Sequence, residues 1–382
     1  MLIMNSGQQL TIDVIAKLDA RRICVKQAMQ ILNKSQSTVF RMLARYRDQG
    51  ASFIIHKNLG KTPRNKTSTQ VEAIIIKLSK DKYFDFNRTH AWEEICSSQE
   101  VKIPKNTFMN ICKRHNLLCK KIKKRKPKNR YRRDRMKQKG IMLQIDGSPH
   151  RWFGRKKTCL VAIIDDATSD ILYGEFSPTE TTFACMNVIK KILKKFGTFQ
   201  VLYTDRAGIF GRNPINHFDA VKREGFSSLK TCLIKFGINT IYAQSAEAKG
   251  RIERCFNTLQ DRLVAEMRLA NIRTIKEANT YLNEVYLKKH RERFAVEAEI
   301  EKSAFIPILE TVNLDDYFFM NETRKIKNDH TFSYKGSIYD LEREDINHSG
   351  AEVNIRSYPC GKVSYFIDDK EVKLRNMDSL AV

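Results

Sequence analysis

The sequence predicts a multidomain chain: two α-helical units, a core of α/β class on a mixed sheet, and a small C-terminal β-barrel. Three observations predict it. Apolar residues before Cys119 recur with a period near 3.6. After Gly140 they gather instead in short runs divided by polar turns. Between the two regimes lies Lys120 to Lys139 (KKIKKRKPKNRYRRDRMKQK), where Lys and Arg outnumber all other residues and Asp134 is the one acid. At 382 residues the chain exceeds one ordinary core, and 42% hydrophobic with 29% charged residues is a globular balance.

The first unit is expected over 1–56, as three short helices within 9–48. In the third, Ser35 or Ser37 can cap the start, Val39, Leu43 and Tyr46 share one face, and Gly50 ends it. Val25 to Leu32 is the second helix and Asn33-Lys34 the turn. Arg41 and Arg45 lie opposite the apolar face, with Arg47 at its edge. This is helix-turn-helix spacing, in which the second helix of the pair enters the DNA major groove. A plain three-helix bundle with a solvated basic face is the other reading, and the net charge of +26 favours the first. Residues 57–69 (KNLGKTPRNKTST) form a linker. A second helical domain follows over 70–119, with helices near Val71–Leu78, Thr89–Ser97 and Pro104–His115. It is either another helix-turn-helix or a spacer bundle.

The basic linker 120–139 holds nothing that can form a core, so alone it is extended. Lys123, Lys124, Arg125, Arg130, Arg132 and Arg133 suit a phosphate backbone, giving salt-dependent affinity without sequence preference. A membrane is a poorer partner: the chain has no run of about 18 apolar residues and no basic amphipathic helix. Met1 to Gln9 lacks the pattern of a signal peptide, and the nine scattered cysteines read as reduced thiols of a cytosolic protein. Cys112, His115 and Cys119, with His90 and Cys96 upstream, lack the pair spacing of a zinc site and read as buried thiols and a surface His.

The core is expected over 140–295. Strands at Ile141–Gly147, Thr158–Ile164 and Ser169–Ser177 form an antiparallel meander. A helix near Glu180–Phe196, a strand at Phe199–Thr204, a helical stretch near Ile215–Phe236, a strand at Ile238–Ala243 and a long helix near Ala246–Leu269 follow. The order βββαβαβα is that of a ribonuclease-H-like core. Asp146 sits inside an apolar strand, where a carboxylate is costly unless paired or bound to a cation. Asp205 ends the fourth strand, and Glu253 lies in the last helix. In that topology the first and fourth strands are neighbours and the helix crosses them, so the three acids can converge. Hard oxygen ligands suit Mg²⁺, and two such ions about 4 Å apart serve an in-line displacement at phosphorus.

Several neighbours compete for roles. If the first hairpin turns over Ser148–Lys157, Asp146 lies opposite Cys159 and Asp165 is about 20 Å away. Asp165-Asp166 therefore reads as a turn. Glu247, at the helix start, rivals Glu253. Lys249, Arg251 and Arg254 flank Glu253 and suit substrate phosphates, against plain surface charge. His150 either touches DNA or stacks near Trp152.

The segments QIDGSPHRWF, IDDATS, YTDRAGIF, SAEAKGRIERCFNTLQDRL and RFAV resemble the DDE transposases of bacterial insertion sequences, particularly the ISNCY type, whose catalytic core is akin to that of retroviral integrases. The resemblance covers nearly the whole chain. It implies that Asp146, Asp205 and Glu253 are catalytic and hold two Mg²⁺ ions, with Mn²⁺ able to substitute. It also implies double-stranded DNA as partner, both element ends and target, a homo-oligomer, and a place in the bacterial cytoplasm on the nucleoid. The implied reaction is DNA end cleavage followed by strand transfer. Two departures stand out. The Asp205–Glu253 stretch is longer than in many such cores, an expected loop extension within Gly208–Ser227, and Ala207 stands where a His is common.

After a linker at 296–321, the tail 322–382 alternates apolar and polar residues, punctuated by Gly336, Gly350 and Gly361. Four or five short strands imply a small barrel. In similar transposases this region contacts DNA or another subunit. Two other function classes compete: a ribonuclease-H-like nuclease that only cuts, and a DNA-binding repressor with a relic core. The intact acid trio argues against the relic.

Overall fold

The computed structural model describes residues 5–56, 58, 66–98, 101–118, 133–205, 209, 227–243, 249–341 and 349–376. Two compact units divide the chain, Met1–Glu72 and Ala73–Val382. The expected loop extension, Ala207, Glu247, Cys119 and all of the basic run before Arg133 lie outside the described residues, as does most of the helical stretch before Ser227.

The first unit holds helices α1 (Ser6–Asp19), α2 (Val25–Leu32) and α3 (Gln36–Gln49) around Val14, Ile15, Leu18, Ala28, Val39 and Leu43. The first helix starts earlier than expected because Asn5 and Gln8 form a reciprocal capping box. Asn33 turns the chain between α2 and α3 in the left-handed region (φ 48°), which asparagine tolerates. Ser35 is the residue capping α3, and Gly50 ends it with positive φ. A 3₁₀ turn at Gly50–Ile54, unforeseen in the sequence, drops Phe53 into the core.

Helix α4 (Thr69–Asp81) runs across the division, and α5 (Arg88–Ser98) and α6 (Lys105–Arg114) follow in the second unit. Cys112 is buried in α6 beside Phe108 and Ile111, and His115 is exposed past its end. The middle of the unit is a five-stranded sheet: β1 (Met142–His150), β2 (Thr158–Asp165), β3 (Ile171–Ser177), β4 (Val201–Thr204) and β5 (Asn239–Tyr242). Its order is β3-β2-β1-β4-β5, with β1 to β3 antiparallel and β4 and β5 parallel to β1. That is the ribonuclease-H-like arrangement, and parallel pairing of β1 with β4 requires the crossover that α7 (Thr182–Phe196) provides.

Side chains alternate across this sheet. Cys159, Val161 and Ile163 pack with Leu143, Ile145 and α7 on one face. Leu160, Ala162 and Ile164 pack on the other against Ile252, Phe256, Leu259 and Leu263 of the long helix Gly250–Leu269. The chain then continues through Ile275–Thr280, a π turn at Tyr281–Tyr286 and Leu287–Phe294. Asn279 and Asn283 from this stretch hydrogen-bond the backbone of Phe176 and Gly174, accepting from each amide and donating to each carbonyl. Two side chains thereby satisfy backbone groups of edge strand β3 that would otherwise template another strand.

The first hairpin differs from expectation. β1 runs on to His150, so Asp146 faces Ala162 rather than Cys159, and Asp165 faces Leu143. Asp165 is thus only about 10 Å along the sheet from Asp146. Asp165 and Asp166 end β2 at the start of a turn, and both are fully buried. Asp166 accepts from Gln144 Nε2 on β1, from Arg133, from the Met136 amide (3.0 Å) and from Arg251 Nη1 (2.8 Å). Burial pushes its carboxyl up, but the Arg133 and Met136 hydrogen bonds and the two guanidinium charges outweigh this and hold it below the ordinary value. Asp165 accepts from the Gly140 and Thr168 amides, and there burial wins and raises the carboxyl.

The α5 helix meets the far half of the long helix through a second buried knot. His90 Nε2 lies 3.0 Å from Glu266 Oε1, and Glu266 Oε2 accepts from the Tyr281 hydroxyl (3.1 Å) and Lys289 (3.4 Å). Arg262 reaches Glu93, and Arg268 reaches Asp85.

The tail departs from the expected barrel. Strands β6 (Met320–Lys325), β9 (Glu352–Ser357), β10 (Val363–Ile367) and β11 (Lys370–Val372) form one sheet. Strands β7 (Thr331–Tyr334), β8 (Ser337–Leu341) and β12 (Leu374–Asn376) form another. The two sheets share a core that includes Ile326, Phe332, Val353 and Ile355. Because β6 pairs with β9 rather than with β7, no closed barrel forms among the described residues.

Asp166→Asn should lower stability by about 3 kcal/mol at neutral pH, since it removes the buried charge that Arg133 and half-buried Arg251 are paired with. The folded-state value is depressed, so this contribution is present above about pH 3.9 and lost as pH falls through the folded value. Urea unfolding at pH 7 and near pH 3 checks both. Equal stability of the two proteins at pH 7 would show that the knot holds nothing.

Candidate functional site

The sheet register brings two of the three expected acids together. Met142, Leu143 and Gln144 pair in parallel with Val201, Leu202 and Tyr203. Continuing that step by two residues sets Asp146 beside Asp205, just past the end of β4. Asp146 is on the face of β1 that meets the long helix, because Leu143 and Ile145 point the other way. Along that face β1 presents Gln144, Asp146 and Ser148, and each is met by a polar group. Gln144 donates to Asp166, which Arg251 also holds. Ser148 accepts from Gln260 at 3.0 Å. Asp146 is met by Lys249.

Lys249, which caps the long helix, is 4% exposed. Its Nζ lies 2.8 Å from Asp146 Oδ1 and 3.7 Å from Asp205 Oδ2. Burial raises the Asp146 carboxyl above its ordinary value, the Asp205 charge adds to this, and the Lys249 ammonium opposes it. A third carboxylate, Glu180, reaches the same end of the sheet from the loop before α7. It lies against Gly147, where any Cβ would overlap its carboxylate. Burial and then the Asp146 and Asp205 charges push Glu180 up. Nothing in its sequence context (SPTETT) marks it as part of a site.

Glu253 is in the first turn of the long helix, one turn beyond Lys249, and its side chain is exposed. Among the described residues, the trio of ligand atoms lying within 4.8 Å of one another is that of His90, Glu94 and Glu266, not that of Asp146, Asp205 and Glu253. The His90 trio is a structural clasp, with Glu266 already matched by Tyr281 and Lys289.

The expected DNA contacts divide in the same way. Arg133 is engaged with Asp166 and stacks over Tyr203, and Arg251 is engaged with Asp166 and with the Arg133 carbonyl. Arg254 is exposed and donates to the Gly250 carbonyl of its own helix. In α3, Arg45 donates to the Phe53 carbonyl (2.7 Å) and Arg47 pairs with Asp19 (2.7 Å), whereas exposed Arg41 makes long contacts to Ser37 and Thr38. His150 packs edge-on to Trp152 at 5.3 Å, and burial lowers its imidazole below the ordinary value. Lys123, Lys124, Arg125, Arg130 and Arg132 lie outside the described residues. No helix among the described residues is long and apolar enough to cross a membrane.

Arg251→Ala should cost about 3 kcal/mol of stability by leaving Asp166 short of a buried partner, while Arg254→Ala stays within about 0.5 kcal/mol. Urea unfolding of both variants checks this. Equal losses would remove the distinction between the inward and outward arginine.

No family model matches the sequence. The chain is 27% identical over 370 residues to the putative transposase y4bF of Sinorhizobium fredii, covering 95% of this chain and 79% of that one. It is 29% identical over 328 residues to the transposase for insertion sequence IS1202 of Streptococcus pneumoniae, covering 76% and 69%. Among solved structures, the HTLV-2 integrase catalytic core with magnesium (dimeric form) matches 39% of this chain and 89% of its own, at 14% identity and a TM-score of 0.29. The simian T-cell lymphotropic virus intasome with the PP2A regulatory subunit B56 gamma matches 78% and 97%, at 11% identity and a TM-score of 0.35. The fold assignment rests on the strand order, not on these structural scores. The two curated relatives bear out the resemblance carried by the motifs: the chain is a homologue of bacterial transposases.

Proposed function

We propose that the protein cuts DNA at the ends of an insertion sequence and joins the freed ends to target DNA, as a polynucleotidyl transferase of the DDE type. The observation that carries this reading is the placement of Asp146, inside β1, and Asp205, just past the end of the adjacent parallel strand β4, side by side about one cation. The donor set is all oxygen, and an ammonium already stands between the two carboxylates, so the residues present fit a hard divalent cation there. Asp146, Asp205 and Glu253 would hold two Mg²⁺ ions, with Mn²⁺ able to replace them. Such ions supply, when bound, the positive charge that activates an attacking oxygen and stabilises a leaving one.

The remaining work falls to the chain itself. Asp146 and Asp205 fix the point near which the scissile phosphate is held. The sheet and the long helix hold those carboxylates rigidly. Arg254 beside Glu253 and Arg41 on α3 offer exposed guanidinium groups to DNA phosphates, and the basic linker 120–139 follows the backbone. In the first step water attacks phosphorus and the bond to the 3′ oxygen breaks, leaving a 3′-hydroxyl and a 5′-phosphate. In the second that hydroxyl loses its proton and attacks a target phosphodiester, and a target 3′ oxygen leaves as a hydroxyl. The helical domains 1–56 and 70–119 bind element ends, a homo-oligomer pairs two ends, and the tail 322–382 contacts DNA or another subunit. The protein acts on the bacterial nucleoid in the cytoplasm.

Strand transfer with Mg²⁺ on DNA carrying the element's own terminal repeats tests the reading. Asp205→Asn should bind ends as the wild type does and lose joined product about a hundredfold or more, since a metal's charge stabilisation is worth several kcal/mol. Equal transfer by the variant would sink the assignment. Cutting without joining would identify a nuclease that only cuts, and tight binding with no chemistry a repressor with a relic core. Because burial, against the opposing Lys249 ammonium, raises the Asp146 carboxyl above its ordinary value, Mn²⁺ affinity should weaken as pH falls towards the acid range. Affinity unchanged down to pH 4 would exclude Asp146 as a ligand.

A further inference from the structure

Lys249 differs from the other cations around Glu253. Arg254 is exposed, and Arg251 is spent on Asp166, but Lys249 is buried and aimed inward between two carboxylates. It stands immediately before the first residue of the long helix, at its N-terminal position. Without a cation at that point, Asp146 on β1 and Asp205 just past β4 would repel each other, and half-buried Asp146 would lack a counter-charge. An ammonium and a divalent ion cannot share the point, since they would need the same carboxylate oxygens and two cations a few ångström apart repel.

We propose that Lys249 is a displaceable internal counter-cation: its ammonium holds Asp146 and Asp205 together in the metal-free protein, and a divalent ion can bind them only by evicting it. This rests on the reading of the two aspartates as metal ligands. Lys249 then gathers the ligands in advance and at the same time lowers the affinity of the site for metal. The protein binds its ions weakly because every binding event must break an ammonium–carboxylate contact already made.

The test is calorimetric titration of the full chain with Mn²⁺, counting only the binding that Asp205→Asn abolishes. Lys249→Met removes the charge and keeps the length, and it should bind Mn²⁺ at least about tenfold more tightly than the wild type. Equal or weaker binding by the variant would overturn the inference while leaving the metal-site reading intact. No Asp205-dependent binding in either protein would overturn both. A second measurement needs no variant. Wild-type protein treated with N-hydroxysuccinimidyl acetate and read by mass spectrometry should show Lys249 protected without metal and acetylated severalfold faster with Mn²⁺. Protection unchanged by Mn²⁺ would overturn the inference.

Discussion

A carboxylate with no exposed surface must be surrounded by donors, and Asp166 collects its donors from parts of the chain that would otherwise be independent. Gln144 comes from β1, Arg133 and Met136 from the segment entering the sheet, and Arg251 from the start of the long helix. Each donor is held in place by the same acid, so the first strand, the entering segment and the helix are fixed together. The polar stripe of β1 then decides what happens nearby. Two residues along from Gln144, Asp146 takes Lys249 from the position just before that helix, and two further on Ser148 takes Gln260. The geometry at Asp146 and Asp205 follows from how the helix is seated.

The large basic surplus is not all directed outward. Arg133, Arg251, Arg262 and Arg291 are matched to Asp166, Glu93 and Asp170, and Lys289 to Glu266. These contacts secure the long helix at both ends, with the Asp166 knot at its start and the His90–Glu266 knot towards its finish. Exposed basic charge is therefore a subset of the total: Arg41 and Arg254 are exposed, whereas Arg251 is engaged with Asp166. An arginine count measures affinity for DNA only after the inward-facing pairs are removed.

Local signals in the sequence sufficed for the first three helices, the core strands and the long helix, but not for the 3₁₀ turn at Gly50–Ile54 or the helices Ile275–Thr280 and Leu287–Phe294. The 3.6 period of Val39 and Leu43 and the left-handed Asn33 placed α2 and α3, and the alternation of Leu143 and Ile145 with Gln144 and Asp146 placed β1. The strand order was legible too, and with it the adjacency of Asp146 and Asp205. What failed depended on pairing between distant residues. The hairpin register could not be read, because Pro149-His150 resembles a turn yet continues β1. Asp165 and Asp166 do stand at a turn, as their sequence suggests, but their burial could not be read because their partners lie near Gly140 and in the long helix. Glu180 carries no local mark. The tail resembled a barrel because alternation gives strands but not partners, and the β6–β9 pairing splits it into two sheets.

The most direct test of the site is diffraction from crystals of the protein grown with Mn²⁺, recorded for anomalous scattering. An anomalous peak in contact with both Asp146 and Asp205, with the Lys249 side chain withdrawn from between them, is the expected result. Absence of any peak within coordination distance of either aspartate, with Lys249 still bridging them, would contradict the assignment of this site to metal-dependent DNA chemistry.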